Sequence, residues 1–290
     1  MPLPSDLPII DHHCHLHPNH EGVGAARRFA AAGGTHLMLA TQNYTAAVPR
    51  SLDDYRDQFD TTRRLADAIR SQTEVEVKCV VAPYPIDLVH AAPLIGLSAA
   101  VALQEEALEL AGREVREQRA VALGEVGTPH FPVGEDIQAA CNRVLDYAFS
   151  VARGADCPVV VHSAELDGPG YRSLAERGSR AGVRPGRIVK HYARSALPAA
   201  ERSGIVPSYL ARRTLVDQVT GGDGPWFLET DFLDDPARPG AVLDLATVPR
   251  RALAIASKGP DAAERLQIPF VASFREVYGW TPEVSGPRVP

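Results

Sequence analysis

Short apolar runs alternate with longer amphipathic stretches along the chain. Eight runs have strand length: 9–16, 35–41, 75–85, 120–126, 158–164, 187–193, 204–211 and 225–233. Most are continuously apolar, as VVV in 159–161 illustrates. Continuous hydrophobicity marks strands covered on both faces, the habit of a parallel sheet. The intervening stretches 21–34, 58–69, 97–118, 136–153, 171–181, 195–203 and 212–219 carry apolar residues at helical spacing, the first stopped by Gly33 and Gly34. Helices are also expected over 247–258 and 268–278. Residues 42–57 read as a polar loop, and 234–242 as a Pro-rich one. The alternation predicts an α/β fold, a (β/α)8 TIM barrel over 9–280 as one domain with a C-terminal helical extension, between tails 1–8 and 281–290. A doubly wound sheet would want a Gly-rich phosphate loop after the first run, and none is present.

Polar residues interrupt this pattern at the ends of five runs. The first run ends in Asp11, His13 and His15, which alternation would place on one face of a strand. Glu125 lies in ALGEVG, His162 in VVVHS, His191 in IVKH and Asp231 in FLETD. One such histidine would more often be a hydrogen-bonded core residue. Six side chains gathered at the carboxyl ends of barrel strands, where such folds carry their chemistry, point instead to a metal centre. Four nitrogen and two oxygen donors suit Zn, Mn, Co, Ni or Fe, with Mg also possible. In a two-ion arrangement His13, His15, Asp231 and Glu125 hold one cation, and Glu125, His162 and His191 the other. Water between the ions is the nucleophile, and Asp231 its general base. Asp11 and Glu229 are expected to orient ligands from behind.

Composition narrows the partners. With 290 residues, 45% of them hydrophobic, the chain is long enough for one barrel of about 250 residues and its extension. A net charge of −6 argues against a protein that blankets nucleic acid, and no motif suggests sequence-specific DNA reading. No apolar run approaches about 18 residues, so no membrane span is expected. MPLPSDLP lacks the basic and apolar segments of a signal peptide. Cys14, Cys79, Cys141 and Cys157 are widely spaced, which reads as reduced thiols of a cytoplasmic protein, with Cys14 packed in the core. Oligomeric state is open.

At these residues the chain resembles the amidohydrolase superfamily, and within it the TatD-like metal-dependent hydrolases. The resemblance rests on DHHCHL (11–16), GEVG (124–127), His162, His191 and ETD (229–231). AGGTHLML (32–39), VVAPYP (80–85), ALGEVGTPHFPV (122–133), IVKH (188–191) and ETDFLDDPARPGAVL (229–243) look like the archaeal-type TatD-related hydrolases, over residues 9 to 279. The resemblance implies a TIM barrel with one or two divalent metals and phosphodiester hydrolysis, often 3′ to 5′ deoxyribonuclease activity. Glu125 stands where many amidohydrolases carry a carbamylated lysine, which favours the TatD side. Two positions depart from the family. An arginine usually follows the strand-five histidine by two residues, where Ala164 stands, and an asparagine of the C-terminal helix is replaced by Ser273.

His130, Glu165 and Arg194 are the expected substrate contacts, with Arg194 or Lys190 as possible substitutes for the missing arginine. Each has a plainer reading: a turn histidine, a loop salt bridge, a surface arginine, and a lysine turned toward the helical layer. His17 and His20 read as solvated loop residues, Tyr44 and Arg50 as loop residues near the mouth, and Asp234 and Asp235 as parts of a rim. The substrate is a small molecule or a nucleic-acid end. The alternative is an amide, lactone or amino-heterocycle hydrolase of the same superfamily.

Overall fold

The computed structural model describes residues 6–238 and 242–284. Most of the expected N-terminal tail (1–5), most of the C-terminal tail (285–290) and the tip of the Pro-rich loop (239–241) lie outside the described residues. The sheet is built from β1 (Ile10–His15), β2 (His36–Ala40), β3 (Glu76–Val81), β4 (Ala122–Gly127), β5 (Val159–His162), β6 (Ile188–Ala193), β7 (Val206–Leu210), β8 (Phe227–Glu229) and β9 (Phe232–Leu233). All pairings are parallel, in the order β8-β7-β6-β5-β4-β3-β2-β1-β9.

The eighth expected strand is broken into β8 and β9, and the break closes the barrel. β8 pairs with β7, whereas β9 pairs with β1. Between them Asp231 adopts φ 51 and its N–H donates to the His13 carbonyl at 3.0 Å. Aspartate tolerates this left-handed conformation better than most residues.

The helices are α1 (Val23–Ala31), α2 (Leu52–Gln72), α3 (Pro85–Ile95), α4 (Leu97–Arg116), α5 (Glu135–Ala155), α6 (Gly168–Arg180), α7 (Arg213–Val219), α8 (Thr247–Ala256), α9 (Pro260–Arg265) and α10 (Ser273–Tyr278). α2 begins earlier than its periodicity suggests, because Ser51 and Asp54 form a capping box; the expected loop 42–57 is correspondingly shorter. α3 was not expected: Pro85 read as a strand stop, yet it occupies the helix start, where a missing N–H costs nothing. α9 likewise begins at a proline, Pro260. The helix expected over 195–203 is a single 3-10 turn, Ala199–Arg202. The one expected over 268–278 is a π turn, Ile268–Ala272, running into α10.

Apolar residues pack in two shells. Phe29, Phe59, Leu108 and Phe149 fill the space between sheet and helices. Ile10, Met38, Val80, Ala122, Val160, Val189 and Val206 belong to a second cluster, shared with Phe270, Phe274 and Val277 of the C-terminal segment. That segment sits at the amino ends of the strands: Ser273 Oγ accepts the Trp226 N–H at 3.1 Å just before β8, and Trp280 stacks on His36 at the start of β2. Each buried Val, Leu, Ile, Met or Phe of these clusters stabilises the fold by roughly 1.5–3 kcal/mol. Among the described residues no helix is long and apolar enough to cross a membrane.

β1 departs from simple alternation. Asp11 lies opposite Leu37 and Cys14 opposite Leu39, so three steps of β1 match two of β2. This bulge puts Asp11 on the face of Cys14, and the consecutive His12 and His13 both make contacts inside the barrel. The expectation that Asp11 shares a face with His13 and His15 therefore fails.

Candidate metal centre

Glu125 is the hub. Its Oε1 lies 3.1 Å from His13 Nε2 and 3.0 Å from His15 Nε2. Its Oε2 lies 2.7 Å from His162 Nδ1 and 2.9 Å from His191 Nε2. Each oxygen thus faces one pair of imidazoles, and within each pair the facing nitrogens are 3.1 Å apart. Asp231 Oδ1 adds a further oxygen, 3.9 Å from His13 Nε2 and 3.7 Å from His15 Nε2. Donors sharing one tetrahedral zinc at about 2.0–2.1 Å lie roughly 3.3 Å from one another. The separations here, 2.7 to 3.9 Å, lie on both sides of that spacing, and His13, His15 and Asp231, or His13, Glu125 and His191, could hold a metal ion.

Two glycines let Glu125 reach the centre. A Cβ on Gly124 would stand 2.7 Å from Val160 Cβ and 2.9 Å from Val80 Cγ1. One on Gly127, at φ +146, would stand 1.9 Å from the His162 carbonyl oxygen. The GEVG motif thus owes its glycines to the close fit of β4 between β3 and β5.

The electrostatics set a cation in competition with protons. Although burial opposes ionisation, His191 and His13 hold the Glu125 carboxyl well below the usual range. Burial, reinforced by His191, lowers the His13 imidazole to about 4. Burial also pulls on His191, but Glu125 and Glu229 push it up to about 10. Burial pushes the Asp231 carboxyl up to about 7 against the pull of His191 and His15. The carboxylates of Glu125 and Glu229 thus draw positive charge into this buried site, where a proton on His191 and a dication compete for the same place.

Asp11 touches no imidazole. Its Oδ1 accepts the Thr230 N–H at 3.0 Å and the His13 N–H at 3.2 Å, and its Oδ2 accepts the Thr230 hydroxyl at 2.5 Å. It fixes the β1 backbone and the link between β8 and β9, and only through them the rings. Glu229 does face His191: its Oε1 lies 3.5 Å from His191 Nδ1 and accepts the Tyr192 N–H at 2.6 Å. Asp234 accepts the N–H groups of His17, Glu21 and Gly22, tying the loop after β1 to the segment after β9.

A cavity of about 610 Å³ opens over the hub, lined by His15, Glu125, His162, His191 and Asp231. His130 lines it too, with Nδ1 2.9 Å from His162 Nε2. Glu165 and Arg194 form one wall and are bonded together: the Glu165 carboxylate accepts the Arg194 N–H at 3.1 Å, with Nε at 3.4 Å. Lys190 does not reach the cavity. It is 1% exposed, and Nζ donates to the Ser163 and His191 carbonyls. Ser273, bound to Trp226, is equally remote. Tyr44 and Arg50 are absent from the lining; the Tyr44 hydroxyl is bonded to Thr62. Sequence reading passed over Tyr84, edge-on to His162, and Arg238, both on the cavity wall. VVAPYP and DDPARP contain them, but neither residue carries a local signal.

A family model described as TatD related DNase matches residues 10–279. The uncharacterized protein MJ1127 of Methanocaldococcus jannaschii is 31% identical over 263 residues, 89% of this chain and 91% of its own. Among solved structures, the TatD homolog YJJV of Escherichia coli K12 superposes with a TM-score of 0.60 at 19% identity, covering 94% of this chain and 98% of that one. A mutant PTE-like lactonase of Deinococcus radiodurans gives 0.58 at 16%, covering 96% and 97%. These two structural likenesses speak to the fold alone.

Proposed function

Because the chain belongs to the TatD-related DNase family, we propose that this metal-dependent hydrolase is a phosphodiesterase acting on nucleic-acid ends, a deoxyribonuclease of the TatD type. The observation that carries the reading is the division of four imidazoles between the two oxygens of Glu125. His13, His15, Glu125 and Asp231 would hold one divalent cation, and Glu125, His162 and His191 a second. Bound there, Zn, Mn, Co, Ni, Fe or Mg would supply Lewis acidity and lower the pKa of water toward neutrality. Asp231 accepts the nucleophile's proton and returns it to the leaving oxygen; its side chain is 19% exposed, on the cavity side. Arg194 and Arg238 meet phosphate oxygens, Glu165 orients Arg194, and His130 touches the substrate while bracing His162.

One observation favours a second reading. The Arg194 charge is already met by Glu165, and Ala164 stands where the family carries arginine, so the cavity attracts a phosphodiester less strongly. A lactone, amide or amino-heterocycle needs no such cation.

Metal analysis of protein purified without added metal, followed by a substrate panel, decides. Turnover of bis-nitrophenyl phosphate and single-stranded DNA ends is expected with Mn or Zn. Turnover of lactones or cyclic amides alone selects the second reading, and no metal with no turnover overturns both.

A further inference from the structure

We propose that Tyr278 and His12 position the ligand His191 through Glu229, so that the segment closing the bottom of the barrel tunes how tightly the centre at its mouth holds a cation. The inference rests on the metal reading above and concerns residues beyond the ligand set.

The four residues form a column. Tyr278, the last residue of α10, has its hydroxyl 2.7 Å from His12 Nε2. His12 Nδ1 faces Glu229 Oε2 at 4.0 Å, and Glu229 Oε1 faces His191 Nδ1 at 3.5 Å. His191 turns its other nitrogen, Nε2, to Glu125. Glu229 is fully buried, and its ion pairs are with these two imidazoles.

The tautomers follow from one another. A neutral imidazole that gives its Nε2 lone pair to a cation carries its proton on Nδ1, which here points at Glu229. On the far side, a Tyr278 hydroxyl donating to His12 Nε2 leaves the His12 proton on Nδ1, also pointing at Glu229. The opposite orientation would set a lone pair against a carboxylate. His12 stacks on Phe227 at 4.1 Å and 12°, which restrains its ring in this attitude. His12 Nδ1, His191 Nδ1 and Glu229 Oε2 are all buried without a hydrogen-bond partner. Such orphans are rare. Here two donors flank one carboxylate, and movement of under about 1 Å brings each gap to hydrogen-bond length. The carboxylate is the acceptor that fixes the His191 ring and raises its basicity, the usual part of a carboxylate behind a metal-bound histidine. Tyr278 and His12 hold that carboxylate from below.

The test uses the full chain, Zn²⁺ alone and Co²⁺ alone. Zn²⁺ affinity is read by competition with a chromophoric chelator, the ligand field by the Co²⁺ absorption spectrum, and folding by thermal unfolding. Glu229→Gln should weaken Zn²⁺ binding about 10- to 100-fold, and Tyr278→Phe by a smaller factor, on the order of several-fold, both with an altered Co²⁺ spectrum. A residue that only packs would shift the melting temperature and leave both metal readouts in place. Wild-type protein that binds Zn²⁺, with variants of unchanged affinity and spectrum, overturns this inference but leaves the metal reading standing. Wild-type protein that binds no Zn²⁺ overturns both. If Glu229→Gln does not fold, Tyr278→Phe decides alone, since it keeps the ring against Phe227 and Phe274.

Discussion

The carbonyl oxygen of His162 occupies the place a Cβ on Gly127 would need, 1.9 Å away. The contact joins the ends of β4 and β5, two of the strands that carry the hub. Gly127→Ala must push the strands apart and adopt φ +146 with a side chain. It should cost about 2–4 kcal/mol in denaturant unfolding and weaken metal binding with it, by displacing His162 from Glu125. Unchanged stability would mean that the strands separate freely.

Removing the metal should abolish hydrolysis. Dialysis against a strong chelator is expected to leave no measurable turnover, and added Mn²⁺ or Zn²⁺ to restore it. His13→Ala with His15→Ala should lower kcat/KM by three orders of magnitude or more, on the order of what a lost metal costs. Retained activity in the double variant would remove these histidines from the mechanism.

Asp231 separates binding from chemistry. Asp231→Asn keeps an oxygen near His13 and His15 but cannot accept a proton. A fall in kcat of about 10²- to 10⁴-fold is expected, with a smaller change in KM, measured under saturating metal.

Metal binding should release protons. Glu125 and Glu229 hold His191 protonated up to about 10, whereas a cation needs the neutral ring. Affinity should therefore rise with pH through the neutral range. Calorimetry in two buffers of different ionisation enthalpy counts the protons, and a count of zero would contradict the assignment of His191.

Away from the centre, Asp87 sets a pH dependence of stability. Burial raises its carboxyl from 3.8 to about 7, against hydrogen bonds from Tyr55 and the Tyr84 backbone. Between these values the folded chain holds a proton that the unfolded chain has lost. The contribution is fully present below pH 4 and declines as pH rises through 7, at up to about 1.4 kcal/mol per unit. Asp87→Asn should flatten that decline and unfold at higher denaturant than wild type at pH 8.

The strand pattern and the polar residues at the strand ends are local properties of the chain. Val159–Val161 is apolar because both faces of β5 are covered, and His162 follows it because the strand there emerges into a cavity. That is why the parallel barrel, the family and the residues His13, His15, Glu125, His162, His191 and Asp231 could all be picked out along the sequence. Pro85 misled because its position within an element, and not its presence, decides the outcome: it begins a helix. Other features depend on register and on contacts between residues far apart in sequence. The bulge in β1 separates Asp11 from His13, and the break at Asp231 lets one run pair with both β7 and β1. Glu229 meets His12 across 217 positions, and His12 meets Tyr278 across 266. No local pattern encodes such meetings, because they are set by how the closed barrel packs its interior. The sequence determined which reactive side chains the chain carries at its strand ends; packing of the barrel decided which groups face one another.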